Sequence, residues 1–392
     1  MKLIELHILQ SFPVSCLNRD DVGSPKTAVF GGVNRARLSS QSLKRPIRLA
    51  LQEQAPSIFA GERSKLIIIP LADRIEKIGV ERERALELAR ATGAYLATLD
   101  EKAAAKGVEK VKTLMFLSPA ELDSIAKDLA HASKAAPPAA SQPDESGAKI
   151  KKKGDSSLDV GKIAAKACNN VALKDAADIA LFGRMVASDH SITVEGAAMF
   201  GHALSTHKAD NDLDFFTAVD DRQKEDPTVG EEDRTGSGMM GTLEFSSAVY
   251  YRYVALNLDQ LFYQTDRDGK PSANLSSLLG ADHLSIRQKI VDAFIRATLM
   301  TVPGARKNSM NAHTLPGCVI GTFKSAGQPV QLINAFETPV RPKSGLMNAS
   351  IEALKAHHAQ LKETWGIACD EEVILPNKNL NAFCEALTKH VS

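Results

Sequence analysis

The sequence is short of aromatic side chains, long apolar runs and cysteine motifs. Only 5% of its 392 residues are aromatic, too few to favour a sheet that selects bases with many exposed rings. No apolar run approaches the roughly 20 residues of a membrane-spanning helix, so we expect no membrane association. The alternating start MKLIELHILQ indicates a strand and not a signal peptide. Its five cysteines form no CxxC pair or metal spacing, so we expect unbridged thiols in a reducing cytoplasm.

Acidic residues are missing from one stretch near the N-terminus. Between Asp21 and Glu53 there is none, although the formal net charge of the chain is only +1. The cations of this stretch are Lys26, Arg35, Arg37, Lys44, Arg45 and Arg48. Arginine forks mixed with small polar side chains such as Asn18, Ser40 and Gln41 suit a phosphodiester backbone. A basic stretch is also typical of a solvated surface, so the residues alone leave both interpretations open. We call residues 16–48 the basic segment.

The order of the predicted elements is that of an α+β fold. Residues 2–10 form a strand, and a helix capped by Ser40 or Ser42 follows, its start delayed by Pro46. Residues 62–185 are helical, with a capping box from Ser118 to Glu121, a flexible loop at 137–157 and a last helix over about 160–185. Strands follow at 191–207, 212–219 and 239–257, then a helix at 285–300 and a hairpin turning at 325–328. This order predicts a ferredoxin-like sheet of the RNA-recognition-motif type with a helical insertion.

Six motifs, in order, resemble one known family. They are CLNRDD, AVFGG, RARLSSQSLKR, GRM, THKADNDLDFFTAVDD and GTLEFSSAVYYRY. From the first strand to about Lys343 the chain resembles the backbone subunit of Cascade, the CRISPR RNA-guided surveillance complex, and most closely its type I-E form (the CasC family). The resemblance implies a ferredoxin-like/RNA-recognition-motif palm, an inserted helical fingers subdomain and a β-hairpin thumb. The implied palm covers residues 1–60, 183–205 and 246–392 (with the C-terminal helices), the fingers 61–182 and the thumb 206–245.

The resemblance also implies a function and its partners. The protein is expected to be a non-catalytic subunit that polymerises along the guide spacer, kinks it periodically and presents it for base pairing with invading DNA. The implied partners are CRISPR RNA, the target DNA strand, copies of the chain in a helical filament, and the large, small, 5′-handle-capping and guide-processing subunits of Cascade. The implied location is the prokaryotic cytoplasm. No catalytic residue, metal or cofactor is implied.

The family's contacts map onto individual positions of this sequence. The implied RNA-binding residues are Asn18, Arg19, Lys26, Arg35, Arg37, Ser40, Gln41, Lys44, Arg45, Arg48, Arg184, Met185, Arg341 and Lys343. The implied thumb wedge, which would separate bases, is Phe216, Val219 and Met240. Lysines of the charged loop are further candidates for DNA contact: Lys149, Lys151, Lys152 and Lys153. Taken without the resemblance, the apolar wedge residues and Met185 are more typical of a core. Asp20 and Asp21 are expected to accept from nearby arginines or backbone donors and not to bind metal.

The sequence departs from the family pattern at three places. Val33 and Asn34 stand where the family often has basic residues, and Pro46 replaces a small helix former. The thumb tip, residues 222–240, is longer than is usual in the family and acidic.

The alternative function is a metal-dependent ribonuclease backbone subunit that cuts target RNA through a thumb-loop aspartate. Asp210, Asp212 and Asp214 have the spacing that places three carboxylates on one side of a strand, where they could hold Mg²⁺. A third class is an RNA-binding protein of the same fold outside CRISPR systems. That class predicts a base-selective platform of exposed aromatic rings.

Overall fold

The computed structural model describes residues 1–135, 159–170, 175–186, 188–219, 221–222, 239–262, 284–304, 308–341 and 345–391. Its strands are β1 (Leu3–Ser15), β2 (Thr27–Phe30), β3 (Val33–Leu38), β4 (Glu62–Ser64), β5 (Met115–Leu117), β6 (Ala198–Phe200), β7 (Ala203–Ser205), β8 (Asp212–Ala218), β9 (Met239–Asn257), β10 (Cys318–Lys324) and β11 (Glu371–Leu375). Its helices are α1 (Ser40–Gln54), α2 (Ile68–Lys77), α3 (Arg82–Leu96), α4 (Glu101–Ala104), α5 (Pro119–Ala135), α6 (Val160–Asn170), α7 (Ala177–Phe182), α8 (Leu258–Phe262), α9 (Leu284–Met300), α10 (Leu346–Trp365) and α11 (Leu380–Thr388). Short 3-10 helices cover His190–Ile192 and Ile333–Phe336.

A large antiparallel sheet forms the centre of the first of two compact units, which contains residues 1–50, 199–257 and 291–392. Its strands hydrogen-bond in the order β11-β10-β1-β9-β7-β3-β2, and β6 and β8 also pair with β9. Strand β1 is buried on both faces from Leu3 to Gln10, because β9 and β10 flank it and other elements cover it. The sheet and its helices confirm the predicted α+β class and the N-terminal strand.

The polar residues of β1 are buried and satisfied by other strands. The Glu5 carboxylate pairs with the Lys324 ammonium and accepts a hydrogen bond from the Tyr253 hydroxyl at 2.7 Å. The His7 Nδ1 atom lies 2.9 Å from the Tyr251 hydroxyl oxygen. Burial, followed by the nearby His358, lowers the pKa of His7 to about 3. His7 is therefore a neutral core group at physiological pH.

The second unit contains residues 51–198 and 258–290 and is mainly helical. Helices α2, α3, α5 and α6 share an apolar core that includes Ile68, Leu88 and Leu129. The predicted capping box is confirmed at the start of α5. The Ser118 amide donates to Glu121 Oε2 at 2.9 Å, and the Glu121 amide donates to Ser118 Oγ at 3.2 Å.

Several predicted elements were wrong in their extent. Helix α1 begins at Ser40, so Pro46 lies inside it, and its cap is Ser39, whose Oγ accepts from the Ser42 amide at 3.3 Å. Inside a helix a proline removes one hydrogen bond and crowds the carbonyl four residues earlier, but the buried Leu43 and Ile47 hold this part of the helix by packing.

Three other predicted elements, one helix, one strand and one hairpin, also differ from the structure. The helix over 160–185 is instead the two helices α6 and α7, and the strand over 191–207 is a 3-10 turn followed by β6 and β7. The hairpin at 325–328 has no return strand among the described residues, because β10 pairs with β1 and β11 instead. The predicted loop 137–157 lies outside the described residues.

Two further predictions concerned the cysteines and membrane-spanning helices. All five cysteines are described, and they carry thiols with no disulfide between them. Within the described ranges, no helix combines the length and the apolarity needed to cross a membrane.

Candidate nucleic-acid interface

Helix α1 presents one polar, cationic face. Gln41, Lys44, Arg45 and Arg48 recur at helical spacing, so they share one side of α1. The opposite side carries the buried Leu43 and Ile47. Lys44 Nζ lies 5.2 Å from the centre of the Phe200 ring, which orients this lysine by a cation–π contact. The amphipathic pattern therefore fixes the outward direction of this row of donors.

The loop before α1 is held by its own polar side chains. Asn18 Oδ1 accepts a hydrogen bond from the Ser39 amide at 2.8 Å, which ties the loop to the start of α1. Asp20 Oδ1 accepts from the amides of Val22 at 3.1 Å and Ser24 at 2.9 Å. The prediction that Asp20 serves backbone donors is thus confirmed. The loop has an ordered backbone next to the polar face of α1.

Five cations of this region have no carboxylate partner among the described residues. Arg19, Arg45 and Arg341 are exposed, and Lys26 and Arg37 are half-buried. Among the described residues, no carboxylate oxygen lies within 4 Å of any of these five cationic groups. Arg37 Nε instead donates to the Thr27 carbonyl at 3.2 Å. These charges are therefore not neutralised within the described part of the chain, as an anion-binding surface requires.

Two predicted RNA-binding arginines, Arg35 and Arg184, are buried in this structure. Arg35 is 0% exposed, and it donates to the carbonyls of Phe30 at 3.0 Å, Ser205 at 3.1 Å and Phe336 at 2.7 Å. Its guanidinium is committed to the protein backbone and cannot reach a phosphate in this structure. Burial, partly offset by Glu337, lowers its pKa, but an arginine still keeps its charge at neutral pH.

The second buried residue, Arg184, belongs to the helical unit. Its side chain pairs with Glu121 at 2.6 Å and donates to the carbonyls of Ile192 at 2.9 Å and Phe116 at 3.2 Å. Burial alone acts to lower the pKa of Arg184, but the Glu121 carboxylate outweighs it, so the pKa is raised. The next residue, Met185, is 79% exposed. Of the GRM motif, only the methionine is thus presented to a ligand.

The hairpin in the region predicted as the thumb is formed by β8 and the first part of β9. Phe216 lies opposite Gly241, and Thr217 lies opposite Met240, so Phe216 and Met240 point to opposite faces. A Cβ atom on Gly241 would lie 2.5 Å from the Phe216 ring, so the glycine accommodates this ring. Val219 follows the strand and is exposed. The three predicted wedge residues are therefore not gathered on one face.

The face that carries Met240 also carries two apolar residues that sequence reasoning missed. Leu213 and Phe215 are 71% and 64% exposed, whereas Phe216 is only half-exposed. The alternation of DLDFFTA already contained this signal, but of the residues of β8 the resemblance implied only Phe216 as a wedge. The hairpin has an exposed apolar surface on the Leu213, Phe215 and Met240 side.

The aspartates of the ribonuclease alternative are only partly aligned. Asp212 and Asp214 share a face of β8, but Asp210 precedes the strand and pairs with Lys208 at 2.9 Å. The predicted row of three carboxylates on one strand was therefore wrong, because β8 begins only at Asp212. Among the described residues, no three His, Cys, Asp or Glu side chains are arranged to hold a metal ion.

The remaining candidates are outside the described residues. These are Lys343 and the loop lysines Lys149, Lys151, Lys152 and Lys153. The thumb tip, 222–240, is described only at Arg222, Met239 and Met240. Their predicted contacts stay predictions.

Comparisons with known proteins agree on the kind of protein this is. One chain of a solved "CRISPR RNA-guided surveillance complex, pre-nicking" is 27% identical, with a TM-score of 0.75 and 100% coverage of both chains. A chain of another CRISPR RNA-guided surveillance complex is 23% identical, covers 97% of this chain and 94% of its own length, and has a TM-score of 0.63, a likeness of fold. A search of curated proteins found no significant match. The model of the family described as "CT1975-like protein" matches residues 4–389, and the chain therefore belongs to that family.

Proposed function

We propose that this protein is a non-catalytic backbone subunit of a CRISPR RNA-guided surveillance complex, of the type I-E Cascade kind. In this role, copies of the chain bind side by side along the spacer of the CRISPR RNA. They grip its phosphates and leave the base edges open for pairing with target DNA. The chain occupies the cytoplasm of a prokaryote together with the other Cascade subunits. The family membership and the matched surveillance-complex chains support the assignment.

One observation carries the proposal. The basic segment and Arg341 provide five cations with no carboxylate partner among the described residues (Arg19, Lys26, Arg37, Arg45 and Arg341). A guide-binding subunit must accept any spacer, so it needs contacts to phosphate and sugar and not to bases. Cations without internal partners, set among Ser40 and Gln41, meet that need.

The sheet supports the proposed palm. Strands β10, β1, β9 and β7 are neighbours in that order, and each adjacent pair is antiparallel. A β-α-β-β-α-β chain that interleaves its two halves produces such an arrangement. We accordingly propose an RNA-recognition-motif palm in the first unit. Its helical insertion corresponds to the fingers, and the β8–β9 hairpin corresponds to the thumb.

The test is an RNA-binding titration of the purified protein across a salt series. If the five cations each neutralise one phosphate, the slope of log affinity against log salt is about −3.5, from about −0.7 per single-stranded contact. Affinity then falls about 130-fold between 50 and 200 mM salt. The protein is mixed with two end-labelled RNAs of unrelated sequence, with Mg²⁺ or with EDTA. Native gels report binding, and denaturing gels report cleavage.

Intact RNA, equal affinities for both sequences and the steep slope are the expected results. Replacing Arg37, Arg45 and Arg341 together by Gln is expected to flatten the slope by about 2. The matched control replaces Arg74, Arg84 and Arg90, which are paired with carboxylates, and is expected to leave the slope unchanged. Cuts that need Mg²⁺ and disappear in Asp212→Ala would instead establish the ribonuclease. Strong preference for one RNA sequence would contradict a backbone-reading subunit.

A further inference from the structure

The buried arginine of the basic segment joins three separate parts of the chain. Arg35 Nε binds the Phe30 carbonyl in the β2–β3 hairpin, and Nη1 binds the Ser205 carbonyl at the end of β7. Its Nη2 binds the Phe336 carbonyl at 2.7 Å and the Glu337 carbonyl at 3.3 Å. All four of these hydrogen bonds are to backbone oxygens, so they fix main-chain positions. The guanidinium carbon also lies 5.6 Å from the centre of the Phe30 ring.

The β2–β3 hairpin and the segment around Glu337 also touch each other directly, without the Arg35 side chain between them. Gly31, in the tip of the hairpin, has a φ of +60°, and a Cβ atom placed on it would lie 1.7 Å from the Glu337 carbonyl oxygen. The neighbouring Gly32 has a φ of +74°, and nothing lies within 4 Å of its Cβ position. The AVFGG motif therefore uses its first glycine for close contact with the segment around Glu337.

That segment carries one of the proposed phosphate ligands. Arg341 is exposed, and it comes four residues after Glu337. The segment is anchored at its other end by the Val340 amide, which donates to the Thr206 carbonyl at 3.0 Å. Arg35 and Gly31 therefore hold the end of the segment that lies nearest to the β2–β3 hairpin. Arg341 follows Val340 directly, so its position depends on how both ends of the segment are held.

We propose that Arg35 is a positioning residue for RNA binding, which holds the segment 336–341 against the β2–β3 hairpin so that Arg341 reaches the same phosphate track as the basic segment. Gly31 completes this clamp by allowing the two backbones to touch. The inference rests on the proposed function and deepens it. Arg35 itself contacts no RNA, because its guanidinium is enclosed and its donors are used by carbonyls.

The experiment is a double-mutant cycle read out as the salt dependence of RNA affinity. Arg341→Ala is made in the wild type and in Arg35→Met, and Arg45→Ala is made in the same two backgrounds. Arg341→Ala is expected to flatten the wild-type slope by about 0.7, which equals about 2.6-fold less loss of affinity between 50 and 200 mM salt. In Arg35→Met it is expected to change nothing further. Arg45→Ala is expected to flatten the slope equally in both backgrounds.

A glycine pair tests the same clamp without removing a buried charge. Gly31→Ala and Gly32→Ala both place a side chain at positive φ, so they share the backbone strain. Only Gly31→Ala also pushes against Glu337. Gly31→Ala is expected to abolish the effect of Arg341→Ala on the slope, and Gly32→Ala is expected to retain it. This pair decides the question if Arg35→Met does not fold, as judged by circular dichroism.

Two failures are distinguishable. If Arg341→Ala flattens the slope by the same amount in every background, the bond between Val340 and Thr206 suffices to place Arg341, and Arg35 has no positioning role. If the wild type shows no salt-dependent binding to RNA, the proposed function fails, and the inference fails with it.

Discussion

The two units of this protein treat arginine in different ways. On the helical unit, four surface arginines are paired with carboxylates: Arg74 with Asp123, Arg82 with Asp73 and Glu76, Arg84 with Glu87, and Arg90 with Glu109. A fifth, the exposed Arg63, lies over the Phe116 ring instead. In the sheet unit, no described carboxylate neutralises Arg19, Arg37, Arg45 or Arg341. Composition hides this difference, because the whole chain is close to neutral.

The buried arginines show the same contrast. Arg184 in the helical unit is paired with the fully buried Glu121, so the pair is neutral and its role is structural. Arg35 in the sheet unit is held by carbonyl dipoles, and its positive charge remains. A charge is directed outward to a ligand only where the fold withholds a counter-charge. Function is therefore better located by missing partners than by the number of cations.

Breaking the buried pair of the helical unit has the largest expected effect. Arg184→Met leaves the Glu121 carboxylate buried without its cation, which costs about 3–5 kcal/mol in the free energy of unfolding. Urea unfolding followed by circular dichroism measures this loss. The exposed pair is the control: Arg74→Gln, which separates Arg74 from Asp123, is expected to cost less than about 1 kcal/mol.

A second variant separates the charge effect from lost packing. Adding Glu121→Gln to Arg184→Met removes the unpaired charge and keeps an oxygen that can accept from the Ser118 amide. The double variant is expected to be more stable than Arg184→Met alone. If the double variant is less stable than Arg184→Met alone, the Glu121 carboxylate still has a compensating partner after Arg184 is replaced.

The next largest effect is a pH dependence confined to the sheet unit. Because the pKa of His7 is about 3 in the folded protein and about 6.5 when unfolded, the unfolded chain takes up a proton first as pH falls. Stability from His7 is complete above about pH 6.5 and is lost towards pH 3, at up to ~1.4 kcal/mol per pH unit.

Amide hydrogen exchange between pH 4.5 and 6.5 can test this in each unit separately. His7→Gln is expected to remove this part of the pH dependence from β1 and β9. In the helical unit, the difference between wild type and variant is expected to stay constant with pH. An unchanged pH dependence in β1 would show that His7 takes up its proton without loss of structure.

Local sequence patterns predicted the features that depend on near neighbours. The capping box of Ser118 and Glu121 and the backbone donors to Asp20 were predicted correctly, because donor and acceptor lie within four residues of each other. The start of α1 was not, because burial of Leu43 and Ile47 outweighs the cost of Pro46 inside the helix. Tertiary packing overrides local propensity at such positions.

The candidate site was only partly predictable for a related reason. The row from Gln41 to Arg48 follows from helical spacing, so sequence alone places it on one face. The burial of Arg35 depends on carbonyls 170 and 301 residues away, and that of Arg184 on a carboxylate 63 residues away. No pattern within the motifs RARLSSQSLKR and GRM contains these partners.

The β8–β9 hairpin, the proposed thumb, is expected to make a contact of a different physical kind, with a smaller effect. If Phe216 stacks on a base, Phe216→Ala weakens RNA binding by about 1–3 kcal/mol and leaves the salt slope unchanged, because no phosphate contact is lost. Phe215→Ala on the opposite face is the matched control in fluorescence titrations at two salt concentrations. An equal loss for both variants would assign the contact to the whole hairpin and not to one face.

The smallest expected effect comes from replacing a single arginine in each unit and comparing the salt dependence of RNA binding. Arg45→Gln and Arg84→Gln remove the same charge, but Arg84 is paired with Glu87 at 3.0 Å, whereas Arg45 has no described carboxylate partner. Arg45→Gln is expected to flatten the salt slope by about 0.7, the value for one phosphate contact, and Arg84→Gln is expected to leave it unchanged. RNA-binding titrations at four salt concentrations resolve this difference. Equal changes would mean that RNA responds to net charge at long range, and the missing counter-charge around α1 would then have no special part in binding.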